Sequence, residues 1–184
     1  SYFCSISGGI SVIGEDADNY LDLLKFAASA LDASKKKGKN TCTVFFPDLL
    51  QSELRMMELN RLLQRCVMDG MKDFVLVYQP LVSSNGLKLT GAEALLRWNC
   101  PSAGPIGPAQ FIPLLENSGL IIQAGKWILD QAFCTCSRWL SNCPGFIMHI
   151  NVSYLQFIDK DFVPFVEQLL DTYRLDARHI VLEL

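Results

Sequence analysis

The stretch Glu93-Ala94-Leu95-Leu96-Arg97-Trp98 places a carboxylate and a guanidinium inside an otherwise apolar run. Side chains alternate along a strand, so Glu93, Leu95 and Arg97 project to one face while Ala94, Leu96 and Trp98 project to the other. An unpaired charge is costly to bury, so Glu93 and Arg97 either satisfy one another or serve a ligand. The run reads as a strand over residues 88–98, and residues 74–82 read as a second strand. The short loop Ser83-Ser84-Asn85-Gly86 joins them, which predicts an antiparallel pair.

Downstream, helical patterns near residues 108–117, 122–140 and 161–173 alternate with strands over 146–152 and 179–184. Strands alternating with helices predict an α/β fold with a mostly parallel sheet, whose common closed form is a barrel. Upstream, residues 53–71 predict a helix with the apolar stripe Met56, Leu59, Leu62, Leu63 and Cys66. A pause at residues 47–52 divides this region, 53–184, from a smaller unit over 1–47. In that unit residues 2–12 read as a strand, and Leu21, Leu24, Ala28 and Leu31 recur on one helical face. Lys35-Lys36-Lys37 before Gly38 marks the helix end, with solvated cations at the negative pole and a glycine free to take a left-handed cap. Residues 41–46 form a further strand.

Half of the 184 residues are hydrophobic and the formal net charge is −3. Such a chain can bury a real core. Its acidity argues against a broad electrostatic footprint for a DNA or RNA polymer. A small anionic ligand stays open, because a cation and one or two arginines supply positive charge locally. The seven cysteines are an odd number scattered over predicted helices, strands and loops, which reads as a reducing cytosol. The spacing of Cys134 and Cys136 fits neither a zinc ribbon nor a thioredoxin motif, so both read as plain thiols. No apolar run is long enough to span a bilayer and no secretory signal is present, so a membrane tether or sensory domain is expected only in a longer parent chain.

Five segments stand in order along the chain: Tyr78-Gln79-Pro80, the Glu93 stretch, Phe111-Ile112-Pro113-Leu114-Leu115-Glu116, Asn151-Val152-Ser153 and Leu182-Glu183-Leu184. Together they resemble the EAL family, bacterial phosphodiesterases that open cyclic di-GMP to linear pGpG. The resemblance implies a TIM (β/α)8-like barrel with an antiparallel first strand, in agreement with the pattern above. A complete barrel takes roughly 250 residues, so residues 53–184 are expected to form its first half. The sheet edge this leaves is expected to be covered by homodimer pairing or swapping, or else to cost stability.

Barrel enzymes build their chemistry at the carboxyl ends of strands. Glu93, Asn151 and Glu183 offer oxygen donors from three strands, a set that suits a hard divalent cation, Mg2+ or Mn2+. The resemblance implies these three as metal ligands, with Glu93 essential to catalysis. It further implies Gln79 and Leu95 as substrate contacts and Arg97 as the arginine whose planar fork binds a substrate phosphate. His149 reads as a core histidine bonded to a neighbour and is not assigned as a ligand. Trp98, Trp127 and Trp139 read as core, with Trp98 also a candidate wall of the pocket. The paired aspartates, lysine and further glutamate that complete the family's site have no counterpart in residues 53–184, so this chain by itself is expected to be inactive.

The helix and exit around Ala30-Leu31-Asp32-Ala33-Ser34-Lys35 and Gly38-Lys39-Asn40 resemble the closing part of a GGDEF nucleotide cyclase module, a partial α+β unit. Ala28 and Asp32 stand where that family usually has aspartate and tyrosine, and its signature loop is missing, so a degenerate remnant is expected. Two other readings compete with a phosphodiesterase: a non-hydrolytic cyclic di-GMP receptor, and a dimerisation module. The match at every visible metal-site position favours catalysis.

Overall fold

The computed structural model describes residues 4–84 and 88–184. The strand expectation at Tyr2 and Phe3 and the loop expectation at Asn85 and Gly86 lie outside the described residues. Two compact units divide the chain, Ser1–Leu59 and Asn60–Leu184.

The first unit pairs β1 (Gly8–Ile10) with β2 (Cys42–Val44) in parallel, with Gly8 opposite Cys42, and α1 (Tyr20–Lys36) makes the crossover. The Asn19 side chain caps α1 by accepting from the Asp22 amide at 2.9 Å. After the lysines, Gly38 takes φ +110° as the ending predicted. The strands are shorter than expected, because each extends only as far as its partner supplies hydrogen bonds.

The buried face of α1 differs from the expected one. A Cβ on Gly9 would lie 2.0 Å from the Ala27 carbonyl oxygen and 2.3 Å from the Leu31 nitrogen, so helix backbone rests directly on β1. That contact turns Ala30 and Ser34 inward, while Leu21 and Leu24 remain 76% and 55% exposed and Ala28 is exposed. The Ser34 hydroxyl is fully buried, 2.7 Å from the Gly8 carbonyl and 2.8 Å from Thr43 Oγ1, and ties the helix to both strands.

Helix α2 (Pro47–Met68) contains the residues expected to form a pause. Pro47 opens it, where the fixed φ suits a helix and the missing N–H would have had no partner. Leu59, Leu63, Cys66 and Val67 are buried along it, and Met56, expected in that stripe, is exposed.

The second unit carries a five-stranded sheet whose main path runs β3 (Phe74–Val82), β4 (Leu89–Cys100), β6 (Ile147–Asn151) and β7 (Ile180–Glu183). As predicted, β3 is antiparallel to β4, while β4, β6 and β7 are mutually parallel. The parallel steps are made by α3 (Pro108–Asn117) with α4 (Ile121–Leu140), and by α5 (Tyr154–Phe157) with α6 (Phe162–Tyr173). Three pieces were not anticipated, one of them a 3-10 turn over Ala177–His179 that takes His179 out of the expected strand. The short strand β5 (Gly104–Ile106) folds back antiparallel on the end of β4, and α5 occupies a single turn after β6.

The core lies on one side of this sheet. Ala92, Ala94, Leu96 and Trp98 of β4, with Met148 and Ile150 of β6, are all less than 9% exposed. They pack toward Phe111 and Leu115 of α3 and Leu129 and Phe133 of α4, each at most 1% exposed. Phe74, Trp98 and Phe111 form an aromatic cluster with ring centroids 5.6 to 6.1 Å apart. Trp98 is therefore core and faces away from Glu93, so it does not wall the candidate site. Trp127 and Trp139 are half-buried.

Candidate active site

The opposite face of the sheet gathers the polar residues. Strand register sets Gln79, Glu93, His149 and Val181 side by side across β3, β4, β6 and β7. Toward the carboxyl ends of the parallel strands, Asn151 stands beside Glu183, and Val77 and Val75 stand opposite Leu95 and Arg97. All six residues singled out in the sequence, Gln79, Glu93, Leu95, Arg97, Asn151 and Glu183, thus share this face.

Glu93 and Arg97 do not satisfy one another. Asn151 Nδ2 donates to Glu93 Oε1 at 2.6 Å, and one Arg97 guanidinium nitrogen donates to the Leu96 carbonyl at 2.8 Å. His149 bonds to a neighbour as expected, but it stands half-buried on the polar face rather than in the core; the neighbour is Glu183, with Nδ1 and Oε1 2.6 Å apart. An ionised carboxylate only accepts, so His149 Nδ1 carries the proton and donates. The two bonds run along parallel diagonals, each rising from one strand to the next residue row of its neighbour.

Leu95, Arg97 and Asn151 line a cavity of about 300 Å³ at the carboxyl ends of β4 and β6. Glu116 of α3 and Ser153 at the start of α5 close its side, with Ser153 Oγ donating to Glu116 Oε1 at 2.6 Å. Gln156 lines it as well and accepts from the Ser153 amide at 3.1 Å. Room for the buried Gln156 amide exists because residue 125 is glycine: a Cβ there would lie 1.8 Å from Gln156 Nε2. From the sequence Glu116 and Ser153 read only as members of the motifs 111–116 and 151–153. A Ser-x-x-Gln capping box over 153–156 was the signal for the Ser153–Gln156 contact.

Among the described residues no group of three or more His, Cys, Asp and Glu side chains is poised to hold a metal ion. A cation site on this face accordingly depends on the Asn151 amide as a third donor beside Glu93 and Glu183. The donor chemistry fits Mg2+ or Mn2+: each carboxylate has one oxygen committed to a neighbour's N–H and a second oxygen left over, and Asn151 presents its carbonyl oxygen when Nδ2 donates to Glu93.

With a mixed sheet, helical crossovers and a polar face of this composition, the chain belongs to the EAL domain family, whose model matches residues 60–184. It is 34% identical over 184 residues to the bifunctional diguanylate cyclase/cyclic di-GMP phosphodiesterase MucR of Pseudomonas aeruginosa, covering 97% of this chain and 26% of that protein. The signaling protein YkoW of Bacillus subtilis is 32% identical over 179 residues, covering 97% and 22% respectively. The chain thus spans about a quarter of the length of these relatives. Among solved structures, the MucR phosphodiesterase in complex with c-di-GMP superposes with a TM-score of 0.62 at 38% identity, covering 67% of this chain and 51% of that one. The EAL enzyme Bd1971 in its cAMP- and cyclic-di-GMP-bound form gives a TM-score of 0.64 at 32% identity, covering 91% and 44%.

Proposed function

We propose that this chain is part of a metal-dependent phosphodiesterase that hydrolyses cyclic di-GMP to linear pGpG. The observation that carries the reading is the placement of Glu93, Asn151 and Glu183 on one polar face of three neighbouring parallel strands of an EAL fold, with Asn151 and Glu183 at the carboxyl ends of theirs. Relatives named as cyclic di-GMP phosphodiesterases, and the cyclic di-GMP complex of a structural neighbour, support the substrate.

In this proposal Glu93, Asn151 and Glu183 hold Mg2+ or Mn2+, which when bound polarises a phosphoryl oxygen and lowers the pKa of the attacking water. Arg97 neutralises and orients the scissile phosphate through its guanidinium fork. Leu95 and Gln79 contact the substrate on the same face.

The proposal extends to the upstream unit as a degenerate GGDEF-like remnant without cyclase activity, to a homodimer, and to a bacterial cytoplasmic location with any tether in the parent chain. Among the described residues no helix is long and apolar enough to cross a membrane. Residues 1–184 alone are expected not to turn over substrate, because the family's downstream aspartates are not among them.

Cyclic di-GMP turnover by the full-length protein, with Mg2+ or Mn2+, tests the reading. The expected result is turnover in the parent, a loss of at least ~100-fold in Glu93→Ala, and none in residues 1–184. A parent inactive with either metal sinks it.

A further inference from the structure

Among the described residues, His149 is the one titratable side chain on the polar face to which the proposed chemistry gives no part. Val181 stands directly beside it in register, yet the imidazole reaches diagonally to Glu183 at 2.6 Å. Its side chain is 23% exposed and that of Glu183 is 45% exposed, so the bond fixes a partly solvent-facing carboxylate at the end of β7. Asn151 treats Glu93 in the same way one strand earlier, so each carboxylate has one oxygen fixed by a side-chain N–H from β6.

We infer that His149 is a positioning residue: its Nδ1–H pins Glu183 Oε1 and presents the other oxygen, Oε2, as a single-point donor to a divalent cation. The inference rests on the metal-site reading above. An N–H on one oxygen fixes the carboxylate's rotamer before a cation arrives and removes that oxygen from two-point chelation. A partner one step behind a ligand typically changes metal affinity by ~10–100-fold when it is lost.

The test is Mn2+ binding to the full-length protein, read by calorimetry and by the Mn2+ electron paramagnetic resonance spectrum, without substrate. His149→Val is expected to bind ~10–100-fold more weakly than wild type. His149→Asn, whose Nδ2 can occupy the place of the imidazole Nδ1, is expected to bind within about threefold of wild type. Equal affinity in wild type and His149→Val overturns the inference and leaves the metal site standing. So does equal weakening in both variants, since the N–H would then not be the active feature. No binding in wild type removes the metal-site reading and the inference with it, an outcome distinct from failure in the variants alone. Should His149→Val not fold, the imidazole 15N spectrum of the metal-free wild type still decides: the Nδ1–H tautomer is expected, with reversion toward Nε2–H in Glu183→Ala, which removes the acceptor, and a wild-type Nε2–H tautomer overturns the inference.

Discussion

Gly91 shows how tightly single residues fix the sheet that carries the site. A Cβ at that position would lie 2.2 Å from the Ile147 carbonyl oxygen, which is backbone and cannot swing aside. Gly91→Ala should therefore force β4 and β6 apart and lower stability by about 2 kcal/mol or more, checked by urea melts. Thiol chemistry gives a second residue-level expectation. Cys4 and Cys42 are exposed, whereas Cys66, Cys100 and Cys136 are buried, and burial pushes the Cys136 thiol up to about 11. Iodoacetamide at neutral pH should label Cys4 and Cys42 in the native protein and reach the buried three only after unfolding. The alternation of Glu93, Leu95 and Arg97 against Ala94, Leu96 and Trp98 was legible because a strand's period is local. The bond between His149 and Glu183 was not, because it depends on the register of two strands separated by two helices.

Elements were legible in proportion to how far their own sequence decides them. The span of α3 was read correctly because Pro108 and Gly119 bracket it. The inward face of α1 was misread because two stripes satisfy helical spacing, and only the close approach at Gly9 chooses between them. Helices α4 and α6 are joined by a bond that no local pattern announces: Tyr173 donates its hydroxyl to Asp130 Oδ1 at 2.7 Å. Tyr173→Phe should cost about 1–2 kcal/mol near neutral pH. The hydrogen bond to Asp130 foremost, then burial, pushes the Tyr173 hydroxyl from 10 up to about 12. A pKa raised by folding stabilises the protein fully below the unfolded value, so the contribution is intact below about pH 10 and is lost as pH rises through about 12. Denaturant melts of wild type and Tyr173→Phe should converge as pH approaches 12; a gap that widens would refute the assignment.

On the scale of the whole molecule, the α/β class, the antiparallel first pair and the parallel succession that follows were all legible, because crossover length dictates strand direction. The fold-back of β5 on β4 was not, since Gly104-Pro105-Ile106 is too short and too poor in strand formers to announce itself. Within the sheet, β4 and β6 each have strand neighbours on both sides. Amide hydrogen exchange should accordingly be slowest in β4 and β6 and faster in β3 and β7; uniform exchange across the four would contradict that order.

The reversed direction of β3 decides which way the chain arrives at the site. Phe74, the first residue of β3, lies opposite Trp98 near the end of β4, and the Asn99 amide bonds the Asp73 carbonyl at 2.9 Å. In an all-parallel barrel the polypeptide would come to its first strand from the floor and leave it at the rim. Here the last turn of α2 delivers the chain straight to the rim, a few residues along the strand from the row that holds Gln79 and Glu93. The rim beside Trp98 and Cys100 is therefore built from the end of the incoming helix as well as from the outgoing loop.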